Sequence, residues 1–212
     1  MEKENSFVTQ YPDLMQGKKI MYNHGFSSSA ASGTVKLIRQ TFPGAEVVAF
    51  DIPLHPEEGL ELLRQKAEEE KPDLIIGTSM GGMYTELMKG YPRICVNPAL
   101  HMAKLLTFNH LGKNVEFHNK RENGETSFKV DKQMVAQFKE IETKQSLKNI
   151  TADEKMLVWG IFGKNDPLVN CQNDFTKAYG KDHFRIIEGE HSLTKDMLKK
   201  DVLPLIKTLL GL

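Results

Sequence analysis

The hexapeptide Gly77-Thr78-Ser79-Met80-Gly81-Gly82 follows the apolar run 73–76 and opens a helix-forming stretch, 80–89. A serine with glycine two residues to either side suits a strand-to-helix turn too tight for side chains at the flanking positions. Such a turn lifts Ser79 above the carboxyl edge of a parallel sheet. It also leaves the Met80 N–H at the start of a helix, aimed where negative charge can be stabilised. The competing reading is a tight turn with a purely structural role.

The rest of the chain supplies the sheet this turn requires. Short apolar runs, rich in β-branched and aromatic residues, occur at 19–22, 46–50, 74–76, 94–96, 156–162 and 184–187. Their length and their bounding Gly, Pro and Asp residues predict strands buried on both faces. Stretches 34–41, 57–70, 80–89, 168–179 and 194–210 suit helices, the last ending at Gly211. This alternation predicts an α/β fold, a mainly parallel sheet of about six strands with helices on both faces, in one domain over residues 1–212.

Residues 101–150 break the alternation. A polar segment, 113–129, carries an Asn123-Gly124 turn signal, and a charged helix-like run, 131–147, follows it. The segment is expected as a lid-like insertion over the carboxyl ends of the strands, the alternative being a surface decoration. Met134, Phe138 and Ile141 share one face of its helix, which predicts contact with something apolar. That face is either core or the lid of a substrate pocket shared with Leu105, Leu106 and Phe108 of the preceding loop.

A serine hydroxyl is a weak nucleophile, and activating it takes a base oriented by a third group. Asp166, in Gly163-Lys164-Asn165-Asp166-Pro167, follows the fifth apolar run; His191, in Glu188-Gly189-Glu190-His191-Ser192, follows the sixth. Serine, acid and histidine thus occur in the order used by strand-to-helix serine nucleophiles. Asp166 could instead cap the next helix, and His191 could be a solvated loop residue. A second oxyanion donor is expected from Asn23-His24-Gly25-Phe26, with Gly25 allowing an unusual backbone angle and the Phe26 N–H donating. His24 reads as a residue holding that loop.

Lys+Arg and Asp+Glu both number 28, so no net charge draws the chain to nucleic acid. No long uncharged run suits a membrane span, and the charged start Met1-Glu2-Lys3-Glu4-Asn5 lacks the pattern of a secretory signal, so a cytoplasmic location is expected. Two cysteines, Cys95 and Cys171, exclude a disulfide framework. No metal-ligand spacing, Walker pattern or Gly-x-Gly-x-x-Gly occurs, so neither metal nor cofactor is expected.

With these residues placed, the chain resembles the α/β-hydrolase superfamily over nearly its full length. More narrowly it is similar to the small bacterial esterase-like proteins of the YqiA type. The shared features are the His24-Gly25-Phe26 loop with its serines, Asp51-Ile52-Pro53, the Gly77-to-Gly82 elbow and Val96-Asn97-Pro98-Ala99. The resemblance implies Ser79 as nucleophile, completed by Asp166 and His191. The expected activity is hydrolysis of a small-molecule carboxylic ester or thioester through an acyl-enzyme. Transfer of the acyl group to another acceptor, and a non-catalytic binding role, are the alternatives.

Overall fold

The computed structural model describes residues 13–212, so the charged N-terminal start lies outside the described residues. The chain runs β1 (Lys19–Asn23), α1 (Gly33–Thr41), β2 (Glu46–Ala49), α2 (Pro56–Glu70), β3 (Leu74–Thr78), α3 (Met80–Glu86) and β4 (Arg93–Val96). The region expected as an insertion holds α4 (Met102–Asn109), β5 (Asn114–Glu116), β6 (Ser127–Lys129) and α5 (Lys132–Lys144). It is followed by α6 (Ala152–Met156), β7 (Val158–Gly163), α7 (Gln172–Tyr179), β8 (Phe184–Ile187) and α8 (Lys195–Met197). A π-helical stretch, Leu198–Val202, joins α8 to α9 (Leu203–Leu210).

Six strands form one parallel sheet in the order β2-β1-β3-β4-β7-β8. Because side chains alternate along a strand, Ile20, Tyr22, Leu74 and Ile76 face one side and Met21 and Ile75 the other. The first side is covered by α1 and the C-terminal helices, through Val35, Ile38, Leu198 and Val202. The second is covered by α2, α3, α4 and α5, with α7 packing through Phe175 against Phe162 of β7. Local caps fix where helices start: Ser32 accepts the Val35 N–H before α1, and Asp131 accepts the Met134 N–H before α5.

Several boundaries differ from the sequence expectation. Residues 105–108 belong to a helix, α4, and not to a loop. The polar segment forms a separate antiparallel ribbon, β5 with β6, that does not join the main sheet. The strand expected from Met156 starts at Val158, because Thr151 caps a short helix through the Glu154 N–H. The helix expected from Leu168 starts at Gln172, since the Leu168 and Val169 N–H groups turn back onto Asp166.

The apolar stripe of α5 is core. Met134, Phe138 and Ile141 are 1%, 0% and 1% exposed and pack with residues of α2, α3 and α4. The Phe138 ring lies 6.5 Å from that of Tyr84. Leu106 is buried in the same cluster. Of the two readings open for these side chains, pocket wall or core, the structure shows the second: they fill the space between helices, so Leu106, Met134 and Phe138 do not line a substrate pocket. Phe138→Ala should cost about 3 to 5 kcal/mol in a denaturant melt, because the emptied volume has no solvent-facing route to collapse. A loss below about 1 kcal/mol would place the ring outside the core.

Candidate active site

Strand β1 leads to β2 on one side and is flanked by β3 on the other, so the loops leaving β1 and β3 diverge at neighbouring carboxyl ends. A crevice at such a reversal of strand order is the usual ligand site of an open parallel sheet. Ser79 stands there, between β3 and α3, with φ 60° and ψ −122°. That conformation costs a non-glycine residue about 1 to 3 kcal/mol and persists only when its surroundings enforce it. Here the Ser79 N–H donates to the Val96 carbonyl at 3.0 Å, and its carbonyl accepts from Met83 and Ala99, each at 3.0 Å.

The flanking glycines are required by contact. A Cβ on Gly77 would lie 2.2 Å from the Gly81 carbonyl oxygen, and one on Gly81 would lie 2.0 Å from the Asn23 carbonyl oxygen. Both distances are far inside van der Waals contact with backbone, which cannot swing aside.

Asp166 and His191 meet across the ends of β7 and β8. His191 Nδ1 lies 2.7 Å from Asp166 Oδ2, with the carboxylate 2% and the imidazole 19% exposed. Asp166 Oδ1 accepts the N–H groups of Leu168 at 2.8 Å and Val169 at 3.1 Å. One oxygen of the carboxylate therefore shapes its own loop while the other holds the imidazole. Of the other acids near these strand ends, Asp174 pairs with His101 and Glu188 with Lys164, each at 2.8 Å.

Sequence reasoning quoted Asn97 within the Val96-to-Ala99 turn but gave its side chain no task. The residue is buried, with φ 42°, and Nδ2 donates to the carbonyls of Glu190 and His191, both at 2.9 Å. Its Oδ1 accepts the Gly163 N–H at 2.7 Å. An Asn-Pro pair after a strand is only a turn signal in sequence, so partners more than sixty residues away left no local trace.

The loop after β1 passes close to the elbow. A Cβ on Gly25 would meet Thr78 O and Ser79 Cβ at 3.4 Å and Ser79 Oγ at 3.9 Å, ordinary contact distances. Gly25 does not use a left-handed angle, contrary to the sequence expectation; the loop's positive φ, 56°, belongs to Ser27. Closeness to Ser79 is what favours a small residue at 25. The Met80 N–H occupies a first-turn position that no intrahelical bond can use, and the Phe26 N–H meets no acceptor among the described residues.

His24 is buried: Nε2 accepts the Ile52 N–H at 3.1 Å and Nδ1 lies 2.8 Å from the Gly25 carbonyl. Those partners fix a neutral tautomer with the proton on Nδ1. Residues from the 117–122 stretch pin the same loop from above. The His118 N–H donates to Ser27 O at 2.8 Å and Ser29 Oγ donates to Lys120 O at 2.8 Å. Asp51 bridges the two, accepting from Ala30 N at 2.8 Å and Glu122 N at 2.7 Å. These bonds join the 117–122 stretch to the loop that follows β1.

Ser79 and His191 open onto one cleft of about 990 Å³. Phe26, Met102, Leu105, Val115, Phe117 and Val169 form much of its wall. Of the five residues expected to bind substrate, Leu105 lies there. Phe108, 77% exposed, borders an adjoining 270 Å³ hollow that shares Leu105, Leu168 and Val169; Leu106, Met134 and Phe138 are in the core for the packing reason given above. Both cysteines are buried free thiols, and burial pushes the Cys95 and Cys171 thiols up, the latter to about 11. Among the described residues no three His, Cys, Asp or Glu side chains cluster as a metal site, and no helix is long and apolar enough to cross a membrane.

A family model described as an uncharacterised protein family, UPF0227, matches residues 19–206. Among solved structures, Est1E from Butyrivibrio proteoclasticus superposes with a TM-score of 0.62 at 15% identity, covering 92% of this chain and 89% of that one. A monoacylglycerol lipase from Paleococcus ferrophilus gives 0.57 at 16%, covering 92% and 95%. The esterase domain of a Rhodothermus marinus protein gives 0.55 at 16%, covering 94% and 87%. At these identities the likeness establishes the α/β-hydrolase fold. No curated protein sequence is significantly similar.

Burial pulls the His24 pKa down to about 4, from 6.5 in an open chain. The unfolded chain therefore takes up a proton that the folded one refuses. Stability tied to His24 is whole above pH 6.5 and falls as pH drops toward 4, by about 2 to 3 kcal/mol at pH 4.5. Urea melts of wild type and His24→Gln at pH 7 and pH 4.5 should show a smaller loss in the variant. Equal losses would mean that His24 is not the group responsible.

Proposed function

The chain belongs to the UPF0227 family, and from that premise we propose that it is a serine hydrolase cleaving a carboxylic ester or thioester through an acyl-enzyme. The observation that carries the reading is the 2.7 Å pairing of His191 with a buried Asp166, beside a cleft that also exposes the strained Ser79. Folding alone does not require these features to converge. The named esterases and lipase that share the fold support the same reading.

In this mechanism Ser79 Oγ bonds to the acyl carbon as its proton passes to His191 Nε2. Asp166 Oδ2 accepts the Nδ1–H, holding the required tautomer and stabilising the imidazolium. The carbonyl electrons move onto oxygen, where the Phe26 and Met80 N–H groups receive them. Collapse breaks the ester bond, and His191 gives its proton to the departing oxygen. Water then attacks the acyl-serine, losing a proton to His191, which passes it to Ser79 Oγ as the acyl–serine bond breaks and the acid leaves. Helix α4 and the β5–β6 ribbon serve as the lid, Leu105 and Phe117 being parts of the wall that receives the acyl group.

Ser79→Ala, His191→Ala and Asp166→Asn should each lower kcat on a simple aryl ester by roughly three or more orders of magnitude, with a double variant little worse than its worst single. Small, additive losses would show that other groups carry the reaction.

The oxyanion loop makes a separate expectation. Gly25→Ala should be mild, because its Cβ meets only ordinary contacts. Gly25→Val must place two more carbons beside Ser79 and should cost kcat about two orders of magnitude. Phe26→Leu should cost much less, since the donor is backbone. Similar losses in all three would assign the role to the Phe26 side chain.

A further inference from the structure

The peptide that carries the Phe26 N–H has the Gly25 carbonyl at its other end. No peptide bond among the described residues is cis, so in this planar unit the N–H and the C=O point in opposite directions, and whatever holds the oxygen aims the hydrogen. Two donors reach Gly25 O: His24 Nδ1 at 2.8 Å and the Ser28 N–H at 3.2 Å. Ser28 belongs to the same loop and moves with it. The imidazole is anchored outside the loop, because His24 Nε2 accepts the Ile52 N–H at 3.1 Å. It forms a rigid spacer between Ile52 and Gly25.

Ile52 is held in turn from the insertion. Arg121, between β5 and β6, donates from Nη2 to the Ile52 carbonyl at 3.0 Å, and its guanidinium carbon lies 4.7 Å from the centre of the Phe117 ring. Arg121 is 5% exposed, although Lys120, Glu122 and Asn123 beside it are exposed. No carboxylate pairs with it among the described residues. Burying a guanidinium without an ion pair is unfavourable, and an apolar side chain would fill the same space with less loss. An apolar side chain could not, however, hold a carbonyl while stacking on an aromatic face. Phe117, the ring beneath the guanidinium, lines the catalytic cleft.

Resting on the serine-hydrolase reading, we propose that Arg121 is a positioning residue for the reaction: carried by the insertion, it fixes Ile52, and through Ile52 and the His24 imidazole it aims the Phe26 N–H at the oxyanion. The insertion then acts on the chemical step as well as on the cleft wall. Its signature is a loss in kcat with KM little changed, because the N–H serves the oxyanion and not the ground-state carbonyl.

The test measures kcat and KM of folded Arg121→Met, His24→Gln and their double variant on one aryl ester at neutral pH. Each single variant should lower kcat by about tenfold or more, with KM within about threefold of wild type. Lying on one path, the two changes should not multiply, and the double variant should stay within about threefold of the slower single. His24→Asn keeps a donor near Gly25 O but loses the acceptor for the Ile52 N–H, which cuts the same path without touching Arg121. It too should cost kcat about tenfold, and it serves if Arg121→Met does not fold. A folded Arg121→Met or His24→Asn with kcat within about twofold of wild type, whatever its melting temperature, would overturn the positioning role and leave the hydrolase reading standing. Losses that multiply in the double variant would do the same. Folded wild type that cleaves no aryl ester and takes no fluorophosphonate would remove the hydrolase reading and this inference with it.

Discussion

Two carbonyls, those of Glu190 and His191, share one amide nitrogen, Asn97 Nδ2, while the oxygen of the same amide takes the Gly163 N–H. Through this group the end of β4 is tied to the loops that follow β7 and β8, which carry Asp166 and His191. Two residues on, the Ala99 N–H closes onto the Ser79 carbonyl. Three segments distant in sequence are therefore registered against one buried turn. A hydrophobic residue at 97 would strand two carbonyls and an N–H, each at a cost of about 1 to 3 kcal/mol. Asparagine also tolerates the left-handed angle that the turn imposes. The 2.7 Å contact between Asp166 and His191 depends on this register.

The insertion acts on the opposite rim. Its 117–122 stretch holds the loop carrying Phe26 through His118, Lys120 and the Asp51 bridge. Arg121 NH2 adds a bond to the Ile52 carbonyl at 3.0 Å, next to the N–H that His24 accepts. Buried neutral His24 and carboxylate Asp51 thus bracket the same backbone. The elbow is enforced by glycine contacts, and its two flanking loops by side-chain hydrogen bonds.

How much of this was legible in the sequence follows from the range of each constraint. The elbow is local: Gly77 and Gly81 are demanded by atoms within a few residues or on the adjacent strand, so the pentapeptide declares them. The six strands are legible because each is a short apolar run buried on both faces. The stripe of Met134, Phe138 and Ile141 was legible as a stripe but not as core, since periodicity reports that a face is covered and not by what. Helix α4 was missed because Met102–Asn109 lacks a capping side chain at its start. Asn97 and Asp51 carry no local signal of what they hold, their partners lying between 21 and 94 positions away. The order of serine, aspartate and histidine, each directly after an apolar run, places them on three loops at carboxyl strand ends, and the structure brings those loops to one cleft edge.

The proposed mechanism requires that these convergences leave Ser79 activated. Treating the folded protein with a fluorophosphonate and mapping the adduct by peptide mass spectrometry tests it most directly. One phosphonylated residue, Ser79, is expected, with labelling slowed by orders of magnitude in His191→Ala. An unlabelled folded wild type, or an adduct on another residue, would contradict it.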